Sequence, residues 1–169
     1  MITREEALKL LEEKINNENT RKHCLASEAV MRGLAKKFGE DTEMWGLCGL
    51  LHDIDLESVE GDMHRHAEVG AGWLREMGFN DEMLHAVRAH NAEGTGVARE
   101  SKLDIALTAG EQVTGLVVAT ALVYPSKKLE DVKVKSITKR MKEKRFAAGV
   151  DRDRIMECER LGLSLDEFV

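Results

Sequence analysis

The chain has 169 residues, 43% of them hydrophobic and 33% charged, with a net charge of −6 at neutral pH. That size and balance predict one folded domain with a sizeable core, and the acidic surplus excludes a general nucleic-acid binder. Three cysteines without a Cys-x-x-Cys pair exclude a disulfide framework and fit a reducing, cytoplasmic compartment.

A single proline, few aromatics and many Ala, Leu, Glu, Lys and Met favour helix throughout. The N-terminus, MITREEALKLLEEK, has a charged helical pattern rather than that of a signal peptide. Thr3 and Glu6 form a capping box for a helix to about Asn16, with Ala7, Leu8, Leu11 and Ile15 inward. Asn17 to Thr20 reads as a polar break. A second helix follows from about Arg21 to Phe38, its inward stripe being Ala26, Ala29, Val30, Gly33 and Leu34, with His23 on the same face. Asp41 caps a third helix whose apolar end runs into Leu50-Leu51-His52-Asp53-Ile54-Asp55. After an acidic loop, His66 opens a helix with Val69, Gly70, Trp73, Leu74 and Met77 inward, ending at Gly78. Asn80 caps the next, where Met83, Ala86, Val87 and His90 share one face.

Ser101 or a neighbour starts the longest apolar helix, with Asp104, Leu107, Glu111, Thr114 or Gly115, and Val118 along one stripe, ended by Pro125. The stretch Leu103 to Val123 approaches membrane length, but Asp104, Glu111 and Gln112 favour a buried core helix over a membrane span. Residues 127 to 145 are strongly basic, Asp151 caps a further helix closing near Gly162, and Ser164 to Glu167 forms another capping box. With no strand signal and no linker, the expected architecture is an all-α, single-domain helical bundle over residues 1–169. Its motif-bearing core lies at about 20–125 and a helical extension at about 126–169.

The chemistry concentrates on inward faces. His23, His52 with Asp53, His66, His90 and Glu111 come from separate segments, and burying so many titratable groups is costly unless a cation collects them. A mononuclear site needs about four protein ligands or fewer, so His23, His52, Asp53 and Glu111 suffice. His66 and His90 then hold a second metal with Asp53 bridging, or stabilise a substrate oxyanion. Asp55 and Glu57 can position or deprotonate a water, or can be solvated loop residues. His64 and His85 fall off the inward stripes and read as surface. Lys127, Lys128 and Arg65, with Arg21 and Lys22, can meet a substrate phosphate, although a solvated face explains the basic stretch as well.

This series is one that resembles a known family. His23, LLHDID around His52 and Asp53, His66, His90, then Glu111 in Gly110-Glu111-Gln112-Val113-Thr114-Gly115 is similar to the HD-domain superfamily of metal-dependent phosphohydrolases, in the manner of its small stand-alone members. The resemblance spans His23 to Glu111. It implies a helical HD-type fold with His23, His52, Asp53 and Glu111 as primary ligands of a Mn, Fe, Co, Zn or Mg-type ion. His66 and His90 become second-metal or phosphate residues, with one or two ions in all. The implied activity is hydrolysis of a small phosphate ester, with nucleotides and nucleotide polyphosphates recurring as substrates. The family's long helix usually carries Ala-Asp-Glu-Leu-Thr-Gly, and Glu111 stands where its last ligand is normally Asp, one methylene shorter. Two other classes fit the same residues: a metal- or nucleotide-binding sensor with weak turnover, and a di-iron enzyme of oxygen chemistry.

Overall fold

The computed structural model describes residues 2–169, and those residues form helices and turns without strands. Thr3 caps α1 (Arg4–Lys14), with Glu6 returning the bond to the Thr3 amide at 2.7 Å. Next, α2 (Glu18–Phe38) begins three residues before the expected start, because Asn17 is its cap, accepting from the amides of Asn19 and Thr20. The polar break was a helix start.

The buried face of α2 is also rotated from the expected stripe. Cys24, Ser27, Glu28, Met31, Leu34 and Ala35 point inward, whereas Ala29 and Gly33 face solvent. Glu28 disguised this face. Glu28 is 3% exposed, and its carboxylate accepts from Arg4 Nε at 2.6 Å and from Arg32 Nε at 2.8 Å. Burial alone would raise its pKa, but the two guanidinium groups outweigh burial and hold it below the usual range.

Asp41 caps α3 (Thr42–Leu51), in which every residue from Met44 to Leu51 is buried. A Cβ on Gly49 would lie 2.7 Å from the Ser27 carbonyl oxygen, so glycine lets α3 approach the α2 backbone directly. His23 lies one turn before that contact and His52 one turn after it, so the contact sets the spacing of the two rings.

Turns carry the chain from His52 to Ala67. The expected helix start at His66 is displaced: α4 (Glu68–Glu76) begins after Ala67, which has a positive φ of 71° and no capping side chain. The open amides of Ala67 and Gly70 are met instead by Asp55 Oδ2 at 2.8 and 2.7 Å. Then α5 (Asp81–His90), capped by Asn80, buries Met83, Ala86, Val87 and His90 as expected, and α6 (Ala92–Thr95) is a single turn.

The long helix is α7 (Lys102–Leu122), with a capping box between Ser101 and Asp104. It has the length and apolarity to cross a membrane, but it packs against α2, α3 and α5 and most of its residues are buried. Val118, expected inward, is 42% exposed. Asp104 is buried because it closes its own helix, accepting from Ser101 N at 2.8 Å and lying 3.1 Å from His85 Nδ1.

The C-terminal segment folds back onto α7 as α8 (Val134–Met141), α9 (Arg152–Met156) and α10 (Leu165–Phe168). Ile137 and Ile155 join Val113 and Leu116 of α7 in a second apolar cluster beside the main core. Arg152 ties the preceding loop down by donating to the carbonyls of Ala147 at 3.0 Å and Val150 at 2.8 Å, and to that of Phe146. The basic stretch from 127 to 145 is mainly exposed.

Candidate metal centre

All six side chains expected as ligands meet in one place. Asp53 is at the centre. Its Oδ2 lies 3.7 Å from His23 Nε2 and 3.5 Å from His52 Nε2, and its Oδ1 lies 3.3 Å from His66 Nε2 and 3.4 Å from His90 Nε2. Glu111 Oε2 is 3.7 Å from His23 Nε2, closing the first group. One oxygen of Asp53 therefore faces each histidine pair.

The far side of each ring decides its proton. His52 Nδ1 is 2.8 Å from the Gly49 carbonyl, and His90 Nδ1 contacts the Val87 carbonyl. His66 Nδ1 is 2.8 Å from Asp55 Oδ1. These partners only accept, so each Nδ1 donates. His23 Nδ1 meets Thr114 Oγ1 at 3.0 Å, and that hydroxyl donates to the Glu111 carbonyl at 2.6 Å, leaving an oxygen to accept from His23. In the neutral rings all four Nε2 lone pairs then point inward. They meet in facing pairs, His23 with His52 and His66 with His90, each at 3.2 Å. Two facing lone pairs repel unless a positive charge lies between them: a proton on His66 supplies it to one pair, and a divalent ion held by imidazole and carboxylate would supply it to both. The donors fall into two groups, His23, His52, Glu111 and Asp53 Oδ2 on one side and His66, His90 and Asp53 Oδ1 on the other, which would hold one or two divalent ions. Subsets of these residues already lie close enough to share an ion.

Electrostatics follow this geometry. Burial lowers the pKa of His52 to about 3 against the pull of Asp53, and it lowers that of His23 too. Burial also opposes charge on His66, but Asp53 and Asp55 outweigh it and push the ring up to about 9. Asp53 is held well below the usual carboxylate range, because the neighbouring His52, His66 and His90 overcome its burial. Glu111 is pushed up to about 7, by burial first and by the charge of Asp53, against opposition from His90 and Arg154.

Asp55 has a different position from the one expected of a water-activating residue. It is fully buried, and its oxygens are taken by His66 Nδ1 and the amides of Ala67 and Gly70. It stands behind His66 and away from any water that would attack a substrate. Asp55→Asn leaves one oxygen for these three donors, and second-site metal affinity is expected to fall roughly 10–100-fold, as for other carboxylates behind histidine ligands. Metal titration of the variant reads this directly, and an unchanged affinity would remove Asp55 from the centre. Glu57 is further away, accepting from the amides of Asn16 and Asn17 at 2.9 and 2.7 Å.

The centre opens into a cleft of about 480 Å³, walled by Asp53, His66, His90 and Glu111 and rimmed by Met63, His64 and Arg154, among others. Arg65, Lys127 and Lys128, the cations expected for substrate, do not line it. Arg65 points to solvent, and Lys128 pairs with Glu130 at 3.2 Å. Arg154 carried no signal in the sequence, while His64 is exposed as expected and also stands at the cleft rim. Asn91 was missed too; its amide donates to the carbonyls of Met63 at 2.7 Å and His66 at 3.0 Å, pinning the His66 loop to the end of α5. Thr114 and Gln112 were legible as parts of the long helix and its GEQVTG run, without a role at the centre.

The HD-domain family model matches residues 20–122, the span that supplies every residue of the centre. The chain belongs to the HD-domain family. Its members are metal-dependent phosphohydrolases of all-α fold, and the bundle and histidine–carboxylate cluster agree with that membership. Among curated proteins, this HD-domain chain is 35% identical over 108 residues to the uncharacterized protein MJ0778 of Methanocaldococcus jannaschii, covering 61% of each chain. It is 32% identical over 72 residues to ribonuclease Y of Cutibacterium acnes, 42% of this chain and 13% of that one. Against ribonuclease Y of Desulfotalea psychrophila it is 32% identical over 101 residues, 58% of this chain and 18% of the relative. The HD-domain chain thus spans about three-fifths of the first relative's length and under a fifth of these ribonucleases. No solved structure matches it.

Proposed function

We propose that this chain is a cytoplasmic metal-dependent phosphohydrolase for a small phosphate ester, a nucleotide or nucleotide polyphosphate. The observation that carries this reading is the gathering of four histidine Nε2 atoms, two by two, within 3.3 to 3.7 Å of the separate oxygens of Asp53. Divalent ions bound there supply Lewis acidity toward a phosphoryl oxygen and lower the pKa of water. The protein's own contribution is orientation. Gly49, Val87, Thr114 and Asp55 fix the four ring tautomers, and Asp53 holds the two histidine pairs in register. His66 and His90, at the cleft wall, also face the side from which a phosphoryl group arrives. The small cleft and the net charge of −6 support a small-molecule substrate over a broad nucleic-acid surface.

The testing experiment is metal analysis of the purified protein, followed by a phosphate-release screen with Mn, Fe, Co, Zn or Mg restored. Nucleoside mono-, di- and triphosphates form one arm, and short RNA oligonucleotides form another because some relatives are named as ribonucleases. Release from a nucleotide supports the reading. Metal binding without turnover on any substrate favours the sensor class, and oxygen consumption by an iron-loaded protein favours the di-iron class.

The pH dependence has a fixed sign. Ligands must lose their protons to take metal, and Glu111 releases its proton at about 7 and His66 at about 9. Metal affinity should therefore rise with pH across this window. Calorimetry at about pH 6 and about pH 8 should show tighter binding at the higher pH and release of protons into the buffer. Equal affinities would mean that these groups are not displaced by the ion.

A further inference from the structure

The cleft beside the metal centre has an acidic wall, made by Asp53, Glu93 and Glu111. An anionic substrate entering it needs positive charge at the end away from the metal ligands. Among the described residues lining the cleft, Arg154 carries the one permanent cation. It comes from α9, outside the 20–122 span shared with the family, and its side chain is 21% exposed.

Arg154 is held at the cleft by Glu93, which can release it, and more loosely by Asp151 of its own helix cap, whose Oδ2 lies 3.5 Å from its Nε. Its Nη2 lies 2.5 Å from Glu93 Oε2. Glu93 is gripped as well by Arg99, whose Nη2 is 3.1 and 3.0 Å from its two oxygens. If Arg154 turns toward a phosphate, Glu93 keeps Arg99 and is not left as an uncompensated charge. The helix carrying Arg154 is also joined to the centre. Gln112 Nε2 donates to Glu111 Oε1 at 2.8 Å, and the same side chain's Oε1 accepts from the Asp151 amide, at the cap of α9, at 2.9 Å.

We infer that Arg154, delivered by the C-terminal extension, binds the phosphoryl oxygens of the substrate opposite the two metal subsites. The guanidinium fork suits this task, since it offers paired donors to two oxygens of one phosphate and stays charged at any working pH. The inference rests on the phosphohydrolase reading and deepens it. It also gives the extension a part in catalysis in addition to its packing on α7.

The test uses metal-loaded full-length protein, with inorganic phosphate as the binding probe and p-nitrophenyl phosphate as the turnover probe. Arg154→Ala should weaken phosphate binding by roughly 10-fold or more, the loss expected for a charge-assisted hydrogen-bond pair. KM should rise with it and metal content should stay at the wild-type level. Arg154→Lys should recover part of the affinity. Glu93→Gln breaks the same ion pair but keeps the cation, so it should bind phosphate at least as well as wild type. An unchanged phosphate affinity in Arg154→Ala overturns the inference. So does an equal loss in Glu93→Gln, or loss of metal in Arg154→Ala, because either outcome makes the role structural. Absence of phosphate binding in metal-loaded wild type overturns the phosphohydrolase reading itself, and the inference with it.

Discussion

Asp53→Ala is expected to leave a folded protein that holds no metal and hydrolyses no phosphate ester. Each Asp53 oxygen faces a different histidine pair, so one substitution removes an anionic ligand from both subsites. The four histidines then face one another with only Glu111 to balance an ion on the first side. Turnover should fall by at least roughly 10³-fold, more than the loss of a single oxyanion donor causes in other hydrolases. The helical bundle should survive, because Asp53 lies at the cleft wall and its removal opens little apolar cavity. Metal stoichiometry by mass spectrometry and helix content by circular dichroism check both halves. Full metal retention would show that the ions, if any, are held elsewhere. His66→Ala and His90→Ala make the contrast, since each removes a ligand from one subsite and should spare the ion on the His23–His52 side.

Glu111→Ala is expected to abolish turnover as well, while Glu111→Asp keeps metal binding with a changed preference among metals. Glu111 is 7% exposed, and Gln112 occupies its Oε1, leaving Oε2 turned toward His23. Burial pushes this carboxyl up to about 7, so near neutrality it is poised between taking a proton and taking a cation. Removing it takes the second carboxylate from the His23–His52 subsite. Shortening it to Asp draws the oxygen back by one methylene, and this restores the residue usual in the family. A metal-soaked crystal structure gives the direct check: a Glu111 oxygen should lie ~2.0–2.6 Å from the ion. A carboxylate turned away from a bound ion would refute the ligand assignment at this position.

Much of this was legible in the sequence, for identifiable reasons. The caps at Thr3, Asp41, Asn80, Ser101, Asp151 and Ser164 were readable because capping uses a small set of side chains at fixed offsets. The six residues of the centre stood out because imidazoles and carboxylates interrupt apolar helical stripes there. The α2 face was misread where an ion-paired Glu28 occupies an inward position, since a charge pattern does not reveal a partner 24 residues away. Asp55 looked like a loop carboxylate beside the centre, and only the fold shows that its lone pairs are already taken. Arg154 was hidden for the opposite reason. The chain has 25 Lys and Arg residues, and no local spacing distinguishes the one that returns to the cleft from a distant helix.

The six side chains of the centre lie on α2, at the end of α3, before α4, at the end of α5 and on α7, between positions 23 and 111. No two neighbouring turns of one helix supply a usable half-site, so a freshly made chain has no local fragment able to capture an ion tightly. The centre exists only once α2, α3, α5 and α7 have docked, so tight metal binding is expected to require the docked bundle. A bound ion then acts as a clasp across the bundle, so an empty protein should differ from a loaded one in how readily its helices part as well as in activity.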